Sequence, residues 1–162
     1  MEGLKDSQTQ LIEFIKTYQQ SFYRLANSYV KNPDTALDMV QNAIVKALSN
    51  QQTLKNSEYV KTWFYRILVN ECLMYLRKNK QVVLVPLEDE SLPQLAANEQ
   101  QGDSIDIHHA LDRLDPKLKT VIVLRYFEDL KLEEIATVTN SHLSTVKSRL
   151  YKAHKELKTL LE

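Results

Sequence analysis

Apolar residues recur at i, i+3, i+4 and i+7 through the first thirty residues: Leu11, Ile12, Phe14, Ile15, Tyr18, Phe22, Leu25, Ala26, Tyr29 and Val30. That spacing predicts one long helix over about 8–31. Asn32-Pro33-Asp34 ends it, because a proline disfavours helical geometry at the preceding residue and can itself start the next helix. A second helix is expected over about 34–48, with Ala36, Leu37, Val40, Ala43, Ile44, Ala47 and Leu48 buried. Ser49 to Ser57 is polar and aperiodic, so a loop is expected there. A third helix over about 57–79 should bury Tyr59, Val60, Trp63, Phe64, Ile67, Leu68 and Tyr75. It ends in Arg77-Lys78-Asn79-Lys80, a cationic run that suits the negative end of a helix dipole.

Residues 81–104 lack sustained periodicity and contain Pro86, Pro93, Gly102 and the acidic Glu88-Asp89-Glu90, so they are expected to be a linker. Val82 to Val85 would also suit a short strand, but a lone strand has no partner in such a chain. Periodicity resumes with Ile107, Ala110, Leu111 and Leu114. Asp115-Pro116 then supplies an N-cap and a proline at the first helical position, and the next helix carries Leu118, Val121 and Ile122 on through Arg125 to Phe127. Two more helices are expected, Leu132 to Val138 and about Leu143 to Leu161. The predicted fold is all-α: two small helical domains, 1–80 and 105–162, joined by a flexible linker at 81–104.

Composition removes several function classes. The chain has 162 residues, 43% hydrophobic and 26% charged, an ordinary globular balance. Its two glycines, Gly3 and Gly102, allow no glycine-rich phosphate cradle. Its one cysteine, Cys72, allows no internal disulfide or cysteine zinc cluster, and a core thiol is expected rather than a redox sensor. No secretory leader or membrane-length apolar run is evident, so a cytoplasmic protein is expected. The formal net charge of zero argues at first against a nucleic-acid partner. By segment it separates: 11 basic and 7 acidic residues over 1–80, none and 6 over 81–107, and 10 and 8 over 108–162. Two basic blocks flank an acidic bridge.

The spacing from Leu132 to Leu157 is the most informative. A short helix, the turn Thr139-Asn140-Ser141-His142 and a longer helix have the proportions of a helix-turn-helix over about 132–152. Asn140 stands where the turn needs a residue tolerant of left-handed geometry. Val146, Leu150, Ala153 and Leu157 form one apolar stripe, and Ser144, Lys147, Ser148, Tyr151, Lys152 and Lys155 the opposite one. Such a face fits a major groove, where Lys bonds guanine edges and Ser or Tyr bonds bases or phosphates. A solvated Lys-rich face on a structural helix is the plainer alternative.

These residues resemble a family. Arg125-Tyr126-Phe127-Glu128-Asp129-Leu130, Glu134-Ile135-Ala136 and Thr145-Val146-Lys147-Ser148-Arg149-Leu150 are similar to region 4 of bacterial sigma-70-type factors. Ala36-Leu37-Asp38-Met39-Val40-Gln41-Asn42 is similar to region 2.2, and Lys61-Thr62-Trp63-Phe64-Tyr65-Arg66-Ile67-Leu68-Val69-Asn70 to the promoter-melting and promoter-reading helix. With only regions 2 and 4, the chain resembles the extracytoplasmic-function group, and Phe22-Tyr23-Arg24-Leu25-Ala26 looks most like its sigma-V subgroup, which answers cell-envelope stress. Two departures from the pattern stand out: Asn42 is found where the family often has glutamate, and Asn140 and Ser144 where the turn commonly has glycine and a small residue.

The resemblance implies a specificity subunit of RNA polymerase with no catalysis and no cofactor of its own. It implies three sites. Asp38, Gln41, Asn42 and Val45 would bind the β′ clamp helices of core polymerase, whose β subunit is a further partner. Asn70 would read a base of the −10 element, with Lys61, Arg66, Arg77 and Lys78 on phosphates and the 49–57 loop receiving a flipped base. Lys147, Ser148, Tyr151 and Lys152 would face bases of the −35 element, with Thr145, Arg149 and Lys155 nearer phosphates. An anti-sigma factor, usually membrane-anchored, is the expected inhibitor and would hold the protein at the membrane. Trp63 is expected in the core rather than as a stacking platform. Asp106, His108, His109 and Asp112 do not make a convincing metal cluster, since adjacent histidines face different sides of a helix. His142 and His154 are expected beside DNA or solvent. Two other classes remain open to the sequence: an autonomous helix-turn-helix regulator with a helical N-terminal interaction domain, and a helical adaptor that never touches DNA.

Overall fold

The computed structural model describes residues 2–83 and 103–162, and every regular element among them is helical. Three helices, α1 (Glu2–Val30), α2 (Pro33–Ser49) and α3 (Val60–Val83), pack against one another in the N-terminal half. The C-terminal half contains α4 (Asp103–Arg113), α5 (Pro116–Ile122), α6 (Leu132–Thr139) and α7 (Leu143–Leu161). The acidic run at Glu88 to Glu90 and most of the expected linker lie outside the described residues. Val82 and Val83 are the last turn of α3 rather than the start of a strand.

Local chemistry explains most boundaries. Asn32 caps α2 by accepting from the Thr35 backbone N–H at 3.0 Å, and Pro33 fills the first helical position, where no amide donor is needed. Asp115 does the same for α5, accepting from the Lys117 N–H at 2.9 Å ahead of Pro116. The predicted helix through Phe127 continues past Ile122 as a wider π turn over Val123–Phe127. At α1 the helix kinks at Tyr18, where φ is −108° and ψ is 17°. The preceding Thr17 hydroxyl donates back to the Glu13 carbonyl at 2.7 Å, a bond known to bend helices.

The N-terminal core is aromatic. Phe22 and Phe64 are fully buried with ring centroids 4.5 Å apart, and Phe14 and Tyr65 pack around them. Burying one such side chain stabilises by about 1.5–3 kcal/mol, so these rings hold α1 to α3. Three expected core residues are instead exposed: Leu37 (46%), Leu48 (37%) and Tyr59 (62%). Helical spacing alone put Leu37 and Leu48 inside, but α2 contacts α1 and α3 through the narrower stripe Ala36, Met39, Val40, Ala43 and Ala47. Tyr59 ends the short 3-10 turn before α3, so the period of α3 does not extend to it.

The two halves share one core. Val121, Val123, Leu124, Leu130 and Ile135 are buried in the same cluster as Phe22, Phe64 and Leu68, and α6 packs against α3. A smaller cluster of Leu111, Leu114, Leu118, Ile122 and Ala153 ties α4 and α5 to α7 within the C-terminal half.

Candidate functional site

The residues singled out by sequence fall on three surfaces. On α2, Asp38, Gln41, Asn42 and Val45 are all exposed, Val45 at 62%. Leu37 and Leu48 join them, because Leu37, Gln41, Val45 and Leu48 follow one another at spacings of four, four and three residues. The patch is therefore more apolar than expected, with Val45 and Leu48 one turn apart and Leu37 beyond the intervening Gln41. The same spacing held the signal, but a helix with two apolar faces does not say which is covered.

On α3, Arg66, Asn70, Arg77 and Lys78 are exposed. Arg66 and Asn70 share a cavity of about 410 Å³ with Asn50 and Thr53 of the preceding segment and with Trp63. Trp63 is half-buried: its ring packs against the core, and its Nε1 donates to Thr53 Oγ1 at 3.1 Å. That bond, with Thr53 Oγ1 donating to the Asn50 carbonyl at 2.7 Å, fixes the 49–57 segment at the cavity rim. Lys46 pairs with the buried Glu71 carboxylate at the same cavity, joining α2 to α3. Sequence reasoning assigned the 49–57 segment to this place without singling out Asn50 or Thr53, and it passed over Lys46 and Glu71, which belong to no motif and which the fold brings to Asn70. Lys61 does not join this group. It is half-buried and its Nζ lies 3.8 Å from Glu134 Oε1 on α6.

On α7, Lys147, Ser148, Tyr151, Lys152 and Lys155 form an exposed face, Tyr151 at 74%. Val146 and Ala153 on the opposite side are fully buried. Thr145 and Arg149 are half-buried, and Arg149 donates to Ser141 Oγ at 3.2 Å, so its guanidinium braces the turn as well as reaching the surface. The turn is set by Asn140, at φ 53° and ψ 48°. Its N–H donates to the Thr137 carbonyl at 3.2 Å and the Ser141 N–H to the Ala136 carbonyl at 2.9 Å, the paired bonds of a Schellman ending. At the start of α6 the Glu134 carboxylate accepts from the Lys131 N–H at 2.8 Å, and both Glu133 and Glu134 sit at the positive end of the dipole. His154 is exposed and hydrogen-bonded to the Tyr126 hydroxyl at 2.7 Å, and His142 is exposed ahead of α7.

Between the halves lies a band of polar contacts. Tyr65 of α3 donates to Glu128 Oε1 at 2.7 Å, and Arg24 of α1 approaches the other oxygen at 3.8 Å. Burial pushes the Glu128 carboxyl above its ordinary value, against the pull of Tyr65 and Arg24. Burial, reinforced by the Glu128 charge, pushes the Tyr65 phenol up. Tyr29 bonds Thr120, and burial raises its phenol as well. Lys119, buried on α5, donates to the Ser28 carbonyl and to Asp112 Oδ1, the latter at 2.9 Å, and desolvation lowers its ammonium against the pull of Asp112. Asp112 Oδ2 also pairs with Lys31 at 2.9 Å. Asp112 thus serves two lysines, and among the described residues no group of His, Cys, Asp and Glu is arranged to hold a metal ion. No helix among the described residues is long and apolar enough to cross a membrane.

Comparison with known proteins assigns this arrangement. Residues 14–82 match the family described as sigma-70 region 2, and residues 104–157 match sigma-70 region 4. The chain is 46% identical to RNA polymerase sigma factor SigV of Bacillus subtilis, covering 99% of this chain and 96% of that one. It is 28% identical to the ECF RNA polymerase sigma factor SigW of the same organism, over 97% of this chain and 91% of the relative. Its fold is similar to that of the sigma factor RpoE of Bartonella quintana, solved in complex with the anti-sigma factor NepR. The TM-score is 0.72 at 24% identity, over 92% of this chain and 94% of that one. A helical chain in which α1 to α3 match region 2 and α4 to α7 match region 4, with relatives aligned along nearly its whole length, belongs to the sigma-70 family of RNA polymerase sigma factors, in its extracytoplasmic-function group.

Proposed function

We propose that the protein is a dissociable specificity subunit of RNA polymerase that directs initiation at promoters of a cell-envelope stress response, acts in the cytoplasm, and is held inactive by an anti-sigma factor anchored in the membrane. Core polymerase makes the phosphodiester bonds, and this chain carries no reaction of its own. The observation that carries the reading is the pairing, in one chain, of an exposed basic recognition face on α7 with a mostly apolar cavity, edged by the polar side chains of Asn50, Thr53 and Asn70, beside α3. One face suits duplex DNA and the other an unstacked base.

In this reading Lys147, Ser148, Tyr151 and Lys152 contact −35 bases, while Thr145, Arg149 and Lys155 contact phosphates. Asn70 reads a −10 base captured in the cavity that Trp63, Thr53 and Asn50 border, and Arg66, Arg77 and Lys78 hold the backbone. Lys61 contributes only after it leaves Glu134. The β′ clamp helices cover the α2 stripe, with Leu37, Val45 and Leu48 supplying apolar contact and Asp38, Gln41 and Asn42 the polar rim. Region 2 thus comprises 1–80, region 4 comprises 105–162, and the acidic 81–104 segment connects them. Inhibition by an anti-sigma factor is supported by the kinship of fold with RpoE, which was solved with NepR.

The test is transcription in vitro with purified core polymerase and a genomic promoter library. RNA starting at defined sites only when the protein is added supports the reading. Tight binding to a two-fold symmetric DNA site without polymerase, and no start-site-specific RNA, would replace it with an autonomous regulator.

A further inference from the structure

A cavity of about 650 Å³ lies between the halves, inside the range of about 300–1,000 Å³ in which small molecules are held. One face of α1 borders it, because Arg24, Asn27, Ser28 and Lys31 follow one another at i, i+3, i+4 and i+7. Across the cavity stand Asp112 of α4, Lys119 of α5 and Glu128, the residue after the π turn. None of these residues belongs to the surfaces assigned to polymerase or DNA, so promoter binding gives the cavity no task.

The charges around it are unevenly met. At one end the Glu128 carboxylate is wholly out of solvent, and only its Oε1 has a donor, the Tyr65 hydroxyl. Oε2 has no hydrogen bond, and Arg24 lies 3.8 Å from it on a side chain that is 60% exposed. Lys61, the other cation whose charge reaches this carboxyl, is paired with Glu134. Asn27 Oδ1, one turn further along α1, is a second buried acceptor without a partner. At the other end a single carboxylate, Asp112, serves the two ammonium groups of Lys31 and Lys119, which leaves positive charge in excess. The two ends are about 6–10 Å apart along α1 at 1.5 Å per residue. Between them Leu25, Leu111 and Val123 give the cavity an apolar wall.

Water can bond an orphaned acceptor, but it neutralises no charge. Two buried acceptors without donors, one of them a desolvated carboxylate, call for a cationic group with more than one N–H. Excess ammonium at the far end calls for an anion. We propose that the cavity binds a small zwitterion, with a guanidinium or ammonium head on Glu128 Oε2 and Asn27 Oδ1, an apolar stem along Leu25 and Val123, and a carboxylate at Lys31 and Lys119. Arg24 is the nearest cation to the place of the head, and its exposed side chain gives way when the head enters.

The probe is Nα-acetylarginine, which carries these three parts and no further charge. Titration calorimetry with the full-length chain should show saturable binding. Nα-acetylcitrulline, the same shape with a neutral urea in place of the guanidinium, should bind at least about tenfold more weakly, and acetylarginine should lose as much on Glu128→Gln. That variant keeps an acceptor for Tyr65, so it should retain its helical circular dichroism. Acetylarginine amide, which lacks the carboxylate, should bind more weakly than acetylarginine, and Lys31→Ala should narrow that gap. Arg24→Ala removes the competing cation and should tighten acetylarginine by about twofold to fivefold, a gain that a ligand seated elsewhere does not show.

Absence of saturable binding to the wild type overturns the site. So does acetylcitrulline binding as tightly as acetylarginine, or wild-type affinity in a folded Glu128→Gln. If that variant loses its helical signal, the acetylcitrulline comparison, which needs no variant, decides. The site stands apart from the promoter reading: start-site-specific RNA tests the one, and these titrations test the other.

Discussion

The Tyr65 hydroxyl donates to Glu128 Oε1 over 2.7 Å, joining α3 of region 2 to the turn that precedes α6 of region 4. The other carboxylate oxygen is buried with no hydrogen bond, and the nearest cation, Arg24, is 3.8 Å away on a largely exposed side chain. Such a carboxylate is held in place by one good bond and penalised by desolvation.

A pH dependence follows from that balance. Burial raises the Glu128 carboxyl above the ordinary value of 4.5, and the bond from Tyr65 and the nearby Arg24 and Lys61 only partly oppose it. The folded state therefore binds this proton more tightly than the unfolded chain, and the group's contribution to stability is full below the ordinary glutamate value. It is lost as pH rises through the folded-state value. Glu128→Gln keeps an acceptor for Tyr65 and carries no charge, so it should melt at a higher temperature than the wild type near neutral pH. The advantage should shrink toward about pH 4. Thermal melts followed by circular dichroism across that range check it, and an advantage that grows as pH falls sinks the account.

Asn140 turns the chain between α6 and α7 in the left-handed region. Glycine there relieves the Cβ penalty but frees the unfolded chain, so Asn140→Gly should change stability by less than about 1 kcal/mol. A β-branched side chain gains nothing and adds steric conflict, so Asn140→Val should cost about 1–2 kcal/mol. Urea melts measure both, and equal stability of the two variants would show that the left-handed turn is not what the position demands.

Cys72 is fully buried, and burial, reinforced by the Glu71 carboxylate, pushes its thiol up to about 12. The reactive thiolate is therefore scarce at neutral pH and screened from reagents. In the native protein, iodoacetamide labelling should proceed only as fast as opening of the N-terminal bundle, accelerating as urea approaches the unfolding midpoint. Rapid labelling without denaturant would make this cysteine a surface sensor instead of a core residue.

How much of this was legible in the sequence differs from element to element. Asn32-Pro33 and Asp115-Pro116 announced two helix starts correctly, because capping and proline act within three residues. Asn140 announced the turn for the same local reason. Leu37 and Leu48 misled, since periodicity identifies an apolar face but not whether the chain or another molecule covers it. The contact of Tyr65 with Glu128 was invisible: 63 residues separate the two, and neither belongs to a spacing pattern that links them. Lys61 shows the cost of that blindness, because a cation assigned to DNA by motif is engaged by Glu134 through tertiary packing.

The α7 face supports a prediction that separates base reading from simple attraction. Lys152 is exposed beside Tyr151 and across from the buried Ala153, so its ammonium is free to enter a groove. Among the described residues no salt bridge engages it. A base contact and a phosphate contact leave different signatures. Losing a base contact costs about 1–3 kcal/mol on the preferred sequence and little on sequences that already lack the partner base, whereas losing a phosphate contact weakens every sequence alike and lowers the salt dependence by about one. Lys152→Ala and Lys155→Ala should therefore diverge when holoenzyme activity is measured on promoters varied at each −35 position. The first should flatten the preference at one position, and the second should lower all promoters together and soften the response to salt. Equal loss on every sequence with Lys152→Ala would move that lysine to the backbone and leave Lys147, Ser148 and Tyr151 as the readers of the element.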